Sequence, residues 1–148
     1  MAERPCAIEM RGITKTFGSV TANHNVHLDL RQGEILALLG ENGSGKTTLM
    51  NMLSGIYQPD AGEILVEGKP VSINSPEDAK KLGIGMVHQH FKLVDVFTAA
   101  DNIWMGKEKA GFGLKKDRYG EIQDMVRKFG FELDPKKKVH NMAVSEKQ

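Results

Sequence analysis

Gly40-Glu41-Asn42-Gly43-Ser44-Gly45-Lys46-Thr47 is the stretch on which the reading of this chain turns. It meets the pattern G-x-x-x-x-G-K-[ST] at every fixed position. Just upstream, Glu34-Ile35-Leu36-Ala37-Leu38-Leu39 is a continuous apolar run without alternation, the pattern of a strand covered on both faces in a parallel sheet. Just downstream, Leu49, Met52, Leu53 and Ile56 recur at i, i+3, i+4 and i+7, which predicts a helix from Gly45 with one buried stripe and Gly55 as its left-handed cap. A strand, this loop and a helix are the context that the motif requires. Glycines at 40, 43 and 45 permit backbone angles closed to other residues, so successive amides can turn inward around a β-phosphate at the positive end of the helix. Lys46 would reach the β- and γ-phosphates and Thr47 would ligate magnesium, with Glu41, Asn42, Ser44 and Thr48 completing the cradle. The expected ligand is ATP with Mg2+.

Outward from the loop, Ala7 to Arg11 and Asn25 to Leu30 alternate with period two and predict a half-buried antiparallel pair. Pro59-Asp60-Ala61-Gly62 is a turn, followed by an expected hairpin of Glu63 to Glu67 and Pro70 to Ile73 around Gly68-Lys69. Ser75-Pro76-Glu77-Asp78 sets a hydroxyl at a cap, proline at the first helical position and an acid three residues on, so a short helix should run to Leu82 and stop at Gly83. Ile84 to Val87 predicts another strand. Thr98-Ala99-Ala100-Asp101 repeats the capping pattern ahead of a helix ending near Gly106. Ile122, Met125, Val126 and Phe129 predict a helix over 117–129 that Gly130 closes.

Composition narrows the classes. The chain has 148 residues, 40% hydrophobic, enough for one ordinary core. Lys+Arg 20 against Asp+Glu 19 leave a net charge of +1, and the short lysine runs near 107–116 and 136–138 lack interleaved aromatics, so no nucleic-acid partner is expected. Cys6 is the single cysteine, which excludes an internal disulfide. No stretch reaches the ~18 apolar residues of a membrane span. His88 and His90, like His24 and His27, read as loop histidines rather than a metal site, because no third ligand is nearby in sequence.

Two further segments sharpen the reading. Met10 to Gly18, with Phe17 near its end and Val20 beside it, and Ile84-Gly85-Met86-Val87-His88-Gln89-His90-Phe91, with Gln89 after a predicted strand, resemble the nucleotide-binding subunits of ABC transporters over essentially the whole chain. The resemblance implies an α/β fold: a P-loop NTPase of ABC type with an antiparallel β subdomain and the start of a helical subdomain, its core incomplete. An ATP-binding core would occupy 1–91 and the helical subdomain 92–148. By the same resemblance Phe17 stacks on adenine, and Gln89 helps Thr47 hold magnesium and the attacking water, so that Lys46 and Gln89 carry the catalytic roles. The segment after Gln89 would meet an integral-membrane permease subunit, and a second nucleotide-binding domain would complete the assembly on the cytoplasmic face of the membrane.

Met142-Ala143-Val144-Ser145-Glu146-Lys147-Gln148 falls where the family's L-S-G-G-Q signature would stand, with Ala143 in place of the serine and Val144 and Ser145 in place of the glycines. A register starting at Val144 restores serine and glutamine but neither glycine. The 148 residues contain no apolar strand ending in Asp-Glu and no switch histidine after one. The chain is therefore expected to be the N-terminal part of a longer subunit and to bind ATP without hydrolysing it by itself. Ser75 to Phe91 is closest to ATPases of simple-sugar and nucleoside importers. A nucleotide-binding module that regulates association is the alternative, and a P-loop kinase ranks last, because a turn and hairpin follow the first helix where a lid would stand.

Overall fold

The computed structural model describes residues 4–88, 92–105 and 118–147. They form two compact units, 1–87 and 88–148.

In the first unit β1 (Cys6–Phe17) and β2 (Val20–Arg31) make a long antiparallel hairpin. Both strands are longer than their alternation predicted, because β-bulges interrupt the period; the register shifts between Met10 and Ile13 and again around Lys15. β3 (Ala61–Val66) pairs with the other edge of β1, and β4 (Lys69–Val71) closes a sheet of order β2-β1-β3-β4. The β3–β4 turn is Glu67-Gly68, one residue earlier than expected, and both residues have positive φ, 50° and 75°, the signature of a tight primed turn. Strand pairing ends at Val71, so the expected strand to Ile73 is shorter by two residues.

Helix α1 (Lys46–Leu53) and helix α2 (Pro76–Lys81) bury against this sheet in one cluster of Met10, Ile13, Leu49, Met52, Ile64, Ile73 and Ala79. After α1 the Gly55 amide donates to the Met52 carbonyl and the Ile56 amide to that of Asn51, a Schellman closure with Gly55 at φ +76°. The turn carries Ile56 off the buried stripe, and it is 40% exposed. Ser75 caps α2 as its sequence predicted: its hydroxyl accepts from the Asp78 amide and donates to the Asp78 carboxylate.

Two expected strands do not form. Residues 34–40 carry no ladder, and Ile35 and Leu39 are 98% and 89% exposed; residues 84–87 likewise lie outside any strand. A parallel strand exists only through hydrogen bonds to neighbours, and among the described residues no strand lies beside either segment. Apolar composition alone does not create the ladder.

In the second unit α3 (Ala99–Met105) starts at Thr98, whose hydroxyl accepts from the Asp101 amide while the Asp101 carboxylate accepts from the Thr98 amide and hydroxyl. The Ala99 and Ala100 amides donate to the carbonyls of Lys137 and Pro135, so the helix start is fully satisfied. α4 (Arg118–Lys128) buries Ile122 and Val126 against Ala100, and Gly130 at φ +70° closes it. Phe129, expected in the buried stripe, is 63% exposed, because it is the last residue before that reversal and lies against Phe131 instead. The predicted helix end at Gly106 lies outside the described residues. Ser75→Ala and Thr98→Ala should each cost about 0.5–2 kcal/mol, the usual loss at an N-cap. Thermal melts of the two variants check this, and a further loss when both are combined should be close to additive because the caps sit in separate units.

Candidate functional site

The predicted phosphate loop meets the β1–β2 hairpin at Gly45, beside Ala22 and Asn23 of β2. Gly45 is the N-cap of α1 at φ +85°, and a side chain there would run into the Ala22 carbonyl and come within 2.8 Å of Asn23 Nδ2. Only glycine fits, on conformational and steric grounds together. Asn23 is 6% exposed, its Nδ2 donates to the Gly45 carbonyl at 3.3 Å, and its Oδ1 is buried without a partner among the described residues. That contact fixes the loop's last residue onto β2. Nothing in the sequence marked Ala22 or Asn23, because the approach joins residues more than twenty positions apart.

Lys46 is the first residue of α1. Its Nζ donates to the carbonyls of Gly40 and Glu41, 2.7 Å each, and to Ser44 Oγ at 3.3 Å. The ammonium thus bends back over the loop that precedes its own helix. Residues 40–44 and Thr47 are exposed, and Thr48 is half-buried. Gly43, at φ +87°, has open space where a side chain would be. The donor set is a cation, the amides at the positive end of an eight-residue helix and two adjacent hydroxyls, which fits a polyphosphate and a hard cation bound to it; within the loop the Ser44 amide donates to the Glu41 carbonyl at 3.3 Å.

Phe17 and Val20 face each other across the two-residue turn that closes the β1–β2 hairpin. Val20 stands two residues before Ala22, about 7 Å along the strand, so one hairpin carries both the aromatic and the seat of the loop. Phe17 is 42% exposed; the Tyr57 ring meets it at 5.1 Å between centroids and 70° between planes, and Lys15 Nζ lies 5.5 Å from its centre. Asp60 binds Lys15 Nζ and the Thr16 amide, each at 2.7 Å. The expected turn at 59–62 is cut short, because β3 already begins at Ala61 through its pairing with Thr14, and the reach of Asp60 back to β1 was not read from sequence.

The sequence profile of the ABC transporter family matches residues 23–148. The chain belongs to the ABC transporter family. Relatives include the guanosine import ATP-binding protein of Bacillus subtilis, 52% identical over 143 residues that are 95% of this chain and 28% of that protein. The nucleoside import ATP-binding protein of Lactococcus lactis is 47% identical over 95% of this chain and 28% of its own length. The ribose import ATP-binding protein of Rubrobacter xylanophilus is 43% identical over 95% and 29%. This member of the family thus spans under a third of the length of the curated relatives it matches. Among solved structures, a nucleotide-free ATP-binding cassette aligns with TM-score 0.80 at 21% identity, over 93% of this chain and 59% of that one. Another cassette, in its ADP conformation, aligns with TM-score 0.81 at 19% identity, over 96% and 61%. The fold is the P-loop fold of ABC type, with the antiparallel sheet and helices described above.

Of the other residues singled out in the sequence, Gln89 lies outside the described residues. Ala143 precedes α5 (Val144–Lys147); its amide donates to Glu146 Oε2 at 2.7 Å, and Lys137 Nζ binds the same carboxylate at 2.8 Å. These bonds hold the Glu146 carboxyl below its usual pKa, Lys137 first and the Ala143 amide second. Among the described residues no cluster of His, Cys, Asp or Glu could hold a metal, and no helix is long and apolar enough to cross a membrane.

Asp60 is likewise held below its ordinary value of 3.8, first by the Lys15 hydrogen bond and then by the Thr16 amide. A carboxyl whose folded pKa is depressed adds stability above its unfolded value and loses it as pH falls through the lower, folded one. The hold on the Phe17 end of β1 should therefore be complete at neutral pH, begin to weaken near pH 4 and be lost as pH falls further, through the lowered folded value. Melting at pH 7 and pH 3 should show part of the acid loss vanishing in Asp60→Asn; equal acid losses in parent and variant would refute the assignment.

Proposed function

We propose that this chain is the ATP-binding part of an importer ATPase, whose binding and hydrolysis of ATP drive solute uptake through a membrane partner. The observation that carries the reading is Lys46 at the start of α1, on a loop seated against the same hairpin that ends in Phe17. The adenine ring stacks on Phe17 beside Val20. The triphosphate lies along the amides of residues 41–48 at the helix N-terminus, and Lys46 exchanges its two carbonyls for β- and γ-phosphate oxygens. Loop glycines 40, 43 and 45 let those amides converge. The hydroxyl of Thr47, the exposed neighbour of Lys46, and the side chain of Gln89 would hold Mg2+. Held there, magnesium would supply neutralisation of the triphosphate's negative charge. Residues 1–91 form the nucleotide core and 92–148 the helical part. The segment after Gln89 docks on an integral-membrane permease at the cytoplasmic face, and a second nucleotide-binding domain completes the site.

The names of the relatives support a solute of the nucleoside or simple-sugar class. Uptake of radiolabelled guanosine, other nucleosides and ribose by cells lacking the gene tests this. Loss of one of these uptakes, restored by the intact gene and not by the same gene carrying Lys46→Ala, is expected. Unchanged uptake of all of them would overturn the substrate class, and restoration by Lys46→Ala would overturn the ATPase role.

A further inference from the structure

No motif singles out Tyr57, yet its ring is set against the aromatic that the site offers to a base. Phe17 stands at the free end of a hairpin, where an isolated ring would turn among rotamers. Two contacts limit it. The Tyr57 ring packs on it nearly perpendicular at 5.1 Å, the preferred edge-to-face geometry, and Lys15 Nζ lies 5.5 Å from its centre. Lys15 is in turn fixed by Asp60, which also clamps the amide of Thr16, the residue before Phe17. With these partners in place Phe17 keeps 42% of its surface open.

Tyr57 is itself placed by α1. Its amide donates to the Asn51 carbonyl at 3.2 Å in the same closing turn that Gly55 makes possible. One eight-residue helix, about 12 Å long, therefore carries Lys46 at its start and fixes the support of Phe17 at its end. We infer that Tyr57 is a positioning residue for the nucleotide base: it sets the plane and the distance of the Phe17 ring relative to the phosphate loop. This rests on the reading of Phe17 as the base platform. The base gains a preorganised ring, and the ordering cost that a free ring would add to binding is already met in the fold.

Because the device acts at the base end alone, it separates ligands that share phosphates but differ in the base. Calorimetric titration of the full chain with ATP and with inorganic tripolyphosphate, both with magnesium, tests it. Tyr57→Leu should weaken ATP about two- to tenfold, the value of an aromatic pair, and leave tripolyphosphate unchanged. Tyr57→Phe, which keeps the ring, should restore ATP binding to the parent level. Asp60→Ala, which releases Lys15 and the Thr16 amide without touching Tyr57, should give the same ATP-selective loss and stands in if Tyr57→Leu does not fold. Equal losses for both ligands, or no loss for either in both variants, would overturn the inference while leaving the phosphate site intact. A parent that binds neither ligand would instead remove the nucleotide reading on which the inference depends.

Discussion

Lys46→Ala should lower the affinity for ATP by about one to two decades. Loss of a charge-assisted contact is worth about 1.5–3 kcal/mol. In the folded chain Lys46 Nζ is held by carbonyls and a hydroxyl, not by a carboxylate, so no strong ion pair has to break before it meets phosphate. The bonds lost on removing it are within the exposed loop, and melting of the variant should stay close to the parent. Calorimetry with ATP and a parallel thermal melt measure both. Equal ATP affinity for variant and parent would show that the loop is not a phosphate site, whatever its sequence.

Gly55→Ala should be among the most destabilising single-methyl additions in the first unit. At φ +76° a Cβ costs about 1–2 kcal/mol by itself. Here it would also be driven into the Ser75 carbonyl and to 2.9 Å from the Pro76 nitrogen, both of them backbone that cannot turn aside. The end of α1 and the start of α2 would have to separate, opening the cluster that joins Met52, Ile73 and Ala79. Together these effects should cost about 2–4 kcal/mol, near the upper range for point changes. At about 4–8 °C per kcal/mol for a unit of 60–100 residues, the melting midpoint should fall by about 8–30 °C. Gly68→Ala is the comparison: it shares the positive φ, 75°, but has open space around the added carbon, so it should show the conformational cost alone. Equal shifts for the two variants would refute the steric part of the account.

Local chemistry was legible wherever a residue's partner lies within a few positions. The caps at Ser75 and Thr98, the closing glycines at 55, 83 and 130 and the phosphate-loop pattern all follow from bonds spanning three to six residues, and the structure places the caps and glycines as read. The buried stripes of α1 and α4 were right in their interiors, at Leu49, Met52, Ile122 and Val126, and wrong at their ends, Ile56 and Phe129, where the chain reverses and the helical period no longer sets direction. The expected strands at 34–39 and 84–87 failed for a different reason: their composition states a preference for burial, while a ladder needs a neighbour.

The sequence by itself determined that a G-x-x-x-x-G-K-[ST] pattern ends at the start of a helix, because glycine, lysine and threonine at that spacing and the helical period after them are both local features. Tertiary structure alone decided what that loop rests on and what faces the aromatic. Gly45 against Ala22 and Asn23, Asp60 on Thr16 and Lys15, and Tyr57 on Phe17 each join residues more than twenty positions apart. Such pairs leave no period in the sequence, since their separation is set by strand register and by the path of the chain between elements, which only folding fixes.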